Sequence, residues 1–92
     1  MGGREFDAEE VYLSERLIVA PHAGVFQAPP GAGALADEGS VICEDEVLGR
    51  IELTRETFTV TSPHTGILMG LLVTPGERVR KSQPLAWLRT PA

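Results

Sequence analysis

The chain has 92 residues, of which 42% are hydrophobic and 23% charged, and its formal net charge is −5. This length predicts one domain with a modest core, and the negative charge disfavours nucleic acid or an anionic membrane as the partner. We expect a cytoplasmic location, because no apolar run approaches the ~20 residues that span a bilayer and residues 1–10 lack a signal-peptide core. Cys43 is the only cysteine, which excludes an internal disulfide and a multi-cysteine metal site.

Short strands separated by turns are predicted from the start of the chain. Residues 1–10 are polar and begin with glycines, a composition typical of a loose tail. The domain itself is expected to occupy residues 11–89. Its first apolar residues predict one or two strand segments that end before Pro21, with a polar interruption at Ser14-Glu15-Arg16.

Residues 28–37 differ in composition from the rest of the chain. Proline, glycine and alanine dominate them, and they lack the alternation of a strand. This pattern predicts a loop that protrudes between two strands. Pro29, Pro30 and Leu35 are its candidates for contact with a protein partner or a ligand, and Leu35 alternatively folds back onto the body of the domain.

The stretch from Ile51 to Val60 predicts two short strands around a tight polar turn, with Arg55 near its tip. Short strands at Val41-Ile42 and from Val47 precede it, separated by the acidic turn Glu44-Asp45-Glu46. Arg55 is either an exposed hairpin tip or a group that binds a carboxylate or phosphate through its guanidinium.

The remaining residues predict a second series of short strands. Thr74-Pro75-Gly76-Glu77 is a turn signal, and strands are expected around Val79 and from Leu85 to Leu88. Trp87 is predicted to anchor the last strand in the core. Residues 90–92 are expected to be a short tail.

Two halves of the chain are related in sequence. Pro21, His22 and Gly24 recur 42 residues later as Pro63, His64 and Gly66. Beyond the 28–37 loop the offset falls to 37, and the matching residues are Gly39, Ile42, Leu48 and Ile51 with Gly76, Val79, Leu85 and Leu88. Two β units that are each too small to bury their apolar faces should close on one another. The repeat therefore predicts an all-β, flattened, quasi-twofold barrel or sandwich of two duplicated halves, with the hairpin at one end.

These residues resemble the biotinyl domain of biotin carboxyl carrier protein, within the biotin/lipoyl attachment family. The resemblance covers residues 17–88 and rests on the segments Ile18–Phe26, Ser62–Ile67 and Gly76–Leu85. It implies the hammerhead fold of that family. The loop at 28–37 stands where the carriers of acetyl-CoA carboxylase have a protruding thumb.

The resemblance also implies where a cofactor would be attached. The family modifies the lysine of a Glu-Ala-Met-Lys-Met turn, and the same register here reads Glu52-Leu53-Thr54-Arg55-Glu56. Biotinylation and lipoylation acylate a neutral amine, whereas a guanidinium keeps its proton. Arg55 should therefore carry neither cofactor, and biotin is expected to be absent. Lys81, the only lysine, lies in a different turn and is the alternative attachment site.

Other polar residues offer weaker candidates. His22 and His64 occupy equivalent positions and are the candidate acid/base residues, but they lack an evident third ligand, so a metal site is not predicted. Cys43 adjoins an acidic turn that disfavours a thiolate, which favours a core or edge thiol. The basic turn Arg78-Arg80-Lys81 and its acidic counterpart are either two solvated turns or a head-to-tail or partner contact.

Three functions remain open at the level of sequence. The first is a degenerate carrier-like domain that acts as a noncatalytic interaction or accessory subunit of a carboxylase or a biosynthetic assembly. The second is a small-molecule-binding protein or repurposed enzyme, for example in a biosynthetic tailoring step, which uses the cleft beside the thumb. The third is a genuine biotin carrier modified at Lys81.

Overall fold

The computed structural model describes residues 13–29 and 35–91, and within them the chain is built from β-strands without a helix. This confirms the predicted all-β class. The strands are β1 (Leu13–Val19), β2 (Gly24–Gln27), β3 (Val41–Ile42), β4 (Val47–Glu52), β5 (Thr57–Thr61), β6 (Gly66–Leu71), β7 (Arg78–Val79) and β8 (Pro84–Pro91).

The strands form two antiparallel sheets of four strands each. We call the sheet with order β1-β8-β6-β3 the terminal sheet, because it contains the first and last strands. The sheet with order β5-β4-β2-β7 is the hairpin sheet, because it contains the central hairpin. Each strand of the first half has its counterpart in the opposite sheet, so that β1 corresponds to β5, β2 to β6, β3 to β7 and β4 to β8.

The same correspondence holds for individual hydrogen bonds. The Gly76 amide donates to the Phe26 carbonyl at 2.7 Å, and the Gly39 amide donates to the Leu68 carbonyl at 2.7 Å. Gly39 and Gly76 have φ angles of 90° and 92°, a conformation that glycine adopts without the steric cost of a side chain. The two sheets are therefore related by an approximate twofold, as the fold prediction required.

The core lies between the inner faces of the two sheets. Its residues alternate along the strands with outward-facing ones, because successive side chains of a strand point to opposite faces. The largest fully buried apolar side chains are Phe26, Ile42, Ile51, Leu68, Val79 and Leu88. Each contributes roughly 1.5–3 kcal/mol through removal of its surface from water.

The predicted interruption of the first strand is wrong. β1 runs without a break through Ser14, Glu15 and Arg16 and pairs with β8 along its whole length. The polar residues are compatible with this ladder because Glu15 lies opposite Arg89 and forms an ion pair with it at 2.9 Å. Residues 1–12, including the predicted tail, lie outside the described residues.

The predicted tail at residues 90–92 is also wrong for the two of these residues that the structure describes. Thr90 is 4% exposed and pairs with Ser14, and Pro91 pairs with Leu13. The strand continues because β1 offers a partner over these positions. The paired ends of β1 and β8 are the twofold counterpart of the β4–β5 hairpin, since Arg89 and Glu15 correspond to Glu52 and Thr57.

Trp87 does not lie in the core. Its ring is half-buried on the outer face of the terminal sheet, opposite Leu17 on β1 and Gly70 on β6. The side chains of its neighbours Ala86 and Leu88 point inward and are buried. Trp87 faces outward because of this alternation.

In the part of the chain that the structure describes, no helix is long and apolar enough to cross a membrane.

Candidate functional site

The β4–β5 hairpin confirms the two strands and tight turn that the sequence predicts. Glu52 pairs with Thr57, and Ile51 pairs with Phe58 one step further from the turn. The turn is closed by a hydrogen bond from the Leu53 amide to the Glu56 carbonyl at 2.8 Å. The hairpin is fixed to the body by Ile51, whose side chain is fully buried.

Arg55 lies at the tip of this turn. Thr54, Arg55 and Glu56 are all exposed, whereas Leu53 is half-buried. The guanidinium of Arg55 is therefore exposed to solvent, and the half-buried Leu53 anchors the turn to the domain. Chemically, it offers a permanent positive charge with several donors, which suits a carboxylate or a phosphate.

Arg50 connects the hairpin to the chain that follows β2. Its Nε donates to the Glu52 carboxylate at 2.9 Å, and its Nη1 donates to the Ala28 carbonyl. The side chains of Arg50 and Glu52 are 29% and 39% exposed, so this ion pair is partly solvated. Arg50 thereby holds the start of the 28–37 loop against the strand that leads to Arg55.

A cleft of about 390 Å³ lies beside the hairpin on the outer face of the hairpin sheet. Val25 pairs with Glu52 on one side and with Arg78 on the other, so a carboxylate and a guanidinium flank an apolar side chain. Gln27 and Thr54 also line the cleft. Its walls offer both donors and acceptors to a small polar molecule.

His22 contacts the base of the hairpin. Its imidazole stacks on the Phe58 ring with centroids 4.6 Å apart and planes 5° from parallel. The His22 Nδ1 also lies 2.9 Å from the Ala23 carbonyl. The ring is thus engaged in packing against β5, and its role as an acid or base stays a prediction.

His64 occupies the turn between β5 and β6. Its backbone carbonyl accepts a hydrogen bond from the buried Ser62 hydroxyl at 2.6 Å. Within the described residues, no group of three or more His, Cys, Asp or Glu side chains is arranged to hold a metal ion.

Lys81 and Cys43 both lie in turns away from the hairpin tip. Lys81 is exposed in the β7–β8 turn, which the Arg80 amide closes by donating to Gln83 Oε1 at 3.0 Å. The Cys43 thiol is exposed, and the Cys43 amide donates to Glu46 Oε1 at 2.9 Å in the equivalent β3–β4 turn. The acidic and basic turns therefore share one backbone arrangement with opposite charge.

The loop residues singled out from the sequence have different positions. Pro29 is half-buried, and Pro30 lies outside the described residues. Leu35 and Ala36 pack against the core cluster. Leu35 therefore folds back onto the body, as one of the two alternatives predicted, and its contact with a partner stays a prediction.

Sequence reasoning missed the stack on Phe58, the bonds of Arg50 and the cleft that Gln27 and Arg78 line, and it named Arg78 only as part of a basic turn. A signal for Arg50 existed, because it stands two residues before Glu52 and side chains two apart on a strand share a face. Phe58 and Arg78 had no such signal, since their contacts depend on which strands become neighbours.

The comparisons with known proteins agree with this geometry. The biotin/lipoyl family model, described as biotin-requiring enzyme, matches residues 16–88. The chain belongs to the biotin/lipoyl family. The family resemblance seen in the sequence is thereby confirmed, and the hairpin lies within the matched part of this biotin/lipoyl domain.

Solved structures share the fold of this biotin/lipoyl domain. A single-chain, multi-domain long-chain acyl-CoA carboxylase is similar with a TM-score of 0.70 and 25% identity over 90% of the chain. Urea carboxylase of Kluyveromyces lactis has a TM-score of 0.68 and 19% identity over 82% of the chain. A succinylglutamate desuccinylase/aspartoacylase of Rhodobacter sphaeroides has a TM-score of 0.63 and 20% identity over 99% of the chain.

The matched region is a small part of each of these proteins. It covers 8% of the acyl-CoA carboxylase, 6% of the urea carboxylase and 24% of the desuccinylase/aspartoacylase. No curated protein matches the sequence. Two of the three structures are carboxylases and one is named for a different activity, so the fold by itself does not specify a reaction.

Proposed function

We propose that this biotin/lipoyl domain carries no prosthetic group at its hairpin and acts as a noncatalytic interaction or accessory subunit of a carboxylase or a biosynthetic assembly. The observation that carries the proposal is the identity of the exposed residue at the turn. The hairpin has the tight, solvent-facing geometry of an attachment turn, and its tip is Arg55 rather than lysine.

The chemistry of this residue does not fit the cofactor. Attachment of biotin or lipoate requires a neutral amine that attacks an activated carboxyl group and becomes an amide nitrogen. A guanidinium is delocalised and protonated at physiological pH, so it is a poor nucleophile. Lys81 has the required amine but lies in the β7–β8 turn, outside the hairpin.

The similarity to parts of two carboxylases supports the choice of partner. In those proteins a region of this fold makes up less than a tenth of a much longer chain. A domain of this kind works beside other domains, and we propose that this one keeps such contacts through the hairpin face. The exposed guanidinium of Arg55 would then contact an acidic or anionic group of the partner.

Co-purification from the native host tests the partner. The tagged full chain is expected to recover a carboxylase subunit or a biosynthetic enzyme, and Arg55→Glu is expected to lose it. Thr61→Glu is the control, because Thr61 is exposed like Arg55 but lies at the far end of β5, away from the turn. Recovery of the chain without any partner at several salt concentrations would contradict the proposal.

A second candidate function is the binding of a small polar molecule. It is favoured by the cleft of about 390 Å³ beside the hairpin, where Glu52 and Arg78 flank Val25. The cleft adjoins the start of the 28–37 loop, because Gln27 lines it. A metabolite screen by thermal shift tests it, with Arg78→Gln as the variant that should abolish any shift.

A further inference from the structure

The outer face of the terminal sheet carries an apolar patch that the hairpin function does not use. Leu17 is 55% exposed and Leu72 is 49% exposed, and the Trp87 ring lies beside them. Together with Glu15 and Arg16 they line a shallow cleft of about 310 Å³. Large apolar side chains are thus concentrated on one face of a small domain.

Three further apolar side chains extend this patch across the sheet. Val41 is 64% exposed and pairs with Ile67, which is 43% exposed, and Val19 on β1 is also 43% exposed. All three alternate with buried neighbours, so they face outward. The six side chains form a patch on the order of several hundred Å², the scale at which exposed apolar surface marks an interaction site.

The fold does not require this patch. The twofold gives four of the six residues a polar counterpart on the hairpin sheet, where the Thr59–Arg50 pair corresponds to Leu17–Trp87, whereas Ile67 corresponds to the apolar Val25. The counterparts of Leu17, Val19, Trp87 and Val41 are Thr59, Thr61, Arg50 and Arg78. Polar side chains are compatible with the same architecture at these four positions, so the fold does not require the apolar ones there.

The charges around the patch permit a second copy to approach. The chain has a net charge of −5, which opposes association of copies through most of its surface. The patch is balanced, because Glu15 forms an ion pair with Arg89 at 2.9 Å, Arg16 lies at its rim, and the Glu38 carboxylate lies near Gly70. The charges of these two acidic and two basic side chains therefore cancel at the patch.

We infer that this face is the interface of a dimer formed by two copies of the chain. Two such patches in contact bury roughly 1,000 Å², which is at the lower limit for a specific interface and below the ~1,600 Å² of a standard one. A dimer with so small an interface is weak and depends on concentration. It is independent of Arg55, which lies on the other sheet.

Sedimentation velocity of the full chain tests the dimer from about 1 µM to about 1 mM, the range in which weak complexes form. The mean mass is expected to rise from one chain to two and no further, and to persist in high salt because the interface is apolar. Trp87 is the only tryptophan, so its fluorescence emission should shift to shorter wavelength over the same range. A single-chain mass throughout, or assemblies larger than two, would overturn the inference.

Matched lysine variants locate the interface. Leu17→Lys with Leu72→Lys places like charges face to face and is expected to weaken the dimer at least tenfold. Thr59→Lys puts the same group at the equivalent position of the hairpin sheet and should leave the dimer unchanged. Thermal unfolding of each variant establishes that it is folded. An equal effect of Thr59→Lys, or none from the double variant, would assign the association to another surface.

Discussion

The imidazole of His22 lies parallel to the ring of Phe58, with ring centroids 4.6 Å apart. His22 follows β1 and Phe58 lies on β5, so the stack joins the end of the first strand to the central hairpin. Phe58 is half-buried and also packs against the core. His22 thereby shields the partly buried ring of Phe58 from solvent at the edge of the hairpin.

His22→Ala is expected to lower the free energy of unfolding by about 0.5–1 kcal/mol, the range for an aromatic pair at a partly exposed site. His22→Phe should retain most of this contribution, because the stack requires an aromatic ring rather than an imidazole. Urea denaturation measures both. His64→Ala is the control, since no aromatic stack involving His64 is present among the described residues. Equal losses in His22→Ala and His64→Ala would refute the assignment.

Gly49→Ala is expected to be strongly destabilising, by more than about 2 kcal/mol. A β-carbon at this position would lie 2.5 Å from Phe26 Cε1 and 2.7 Å from the Gln27 carbonyl oxygen, and the buried ring cannot move aside. Thermal or urea unfolding measures the loss.

Gly70→Ala is the matched comparison for that variant. The added carbon would meet only Glu38 and Trp87, at 3.7 and 3.9 Å, which are ordinary contacts. We expect its stability to stay within about 0.5 kcal/mol of the natural chain or to rise, because alanine restricts the unfolded state. A large loss at Gly70 with none at Gly49 would contradict the packing described for the two positions.

Arg50→Gln is expected to lower stability by about 1 kcal/mol. The substitution removes a charged donor from the Glu52 carboxylate and from the Ala28 carbonyl. The value is at the low end for charge-assisted hydrogen bonds because both side chains of the ion pair are partly solvated.

Glu52→Gln separates the two contacts of Arg50. It leaves the bond to Ala28 in place, so a smaller loss is expected, and hydrogen exchange of the residues after β2 should be faster only in Arg50→Gln. An equal increase in exchange in both variants would mean that the bond to Ala28 does not hold the loop.

Removal of residues 90–92 is expected to cost about 1–3 kcal/mol, because it exposes the site of the buried Thr90 and ends the β1–β8 ladder early. Thr90→Val keeps the bulk and loses only the hydroxyl donor to the Ser14 carbonyl, so its cost should stay below about 1 kcal/mol. Urea denaturation compares them. If truncation left the stability unchanged, residues 90–92 would behave as the tail predicted from the sequence.

The repeat of the two halves predicted the class of fold. Local patterns in the sequence predicted the hairpin and the turn at Thr74–Glu77. These features depend on residues close together in the chain, such as Arg55 between two alternating strands. The continuous β1 strand was not predictable in the same way, because Glu15 is satisfied by Arg89, 74 residues later. Trp87 was misplaced for a related reason, since its size favours a core but its register places it outward.

The candidate site was predicted in part. The turn and Arg55 followed from the motif, whereas the cleft beside them needs Val25, Glu52 and Arg78 on three neighbouring strands. Strand order is a property of the whole fold, and no short segment of the sequence contains it.

We propose that the exposed guanidinium of Arg55 prevents covalent attachment of biotin at the hairpin. Intact-mass measurement after co-expression with a biotin ligase tests it most directly, with Arg55→Lys as the matched variant that restores an amine on the same hairpin. We predict that the natural chain keeps its unmodified mass and that Arg55→Lys gains the mass of one biotinyl group. A biotinyl group on the natural chain, lost in Lys81→Ala, would contradict the account.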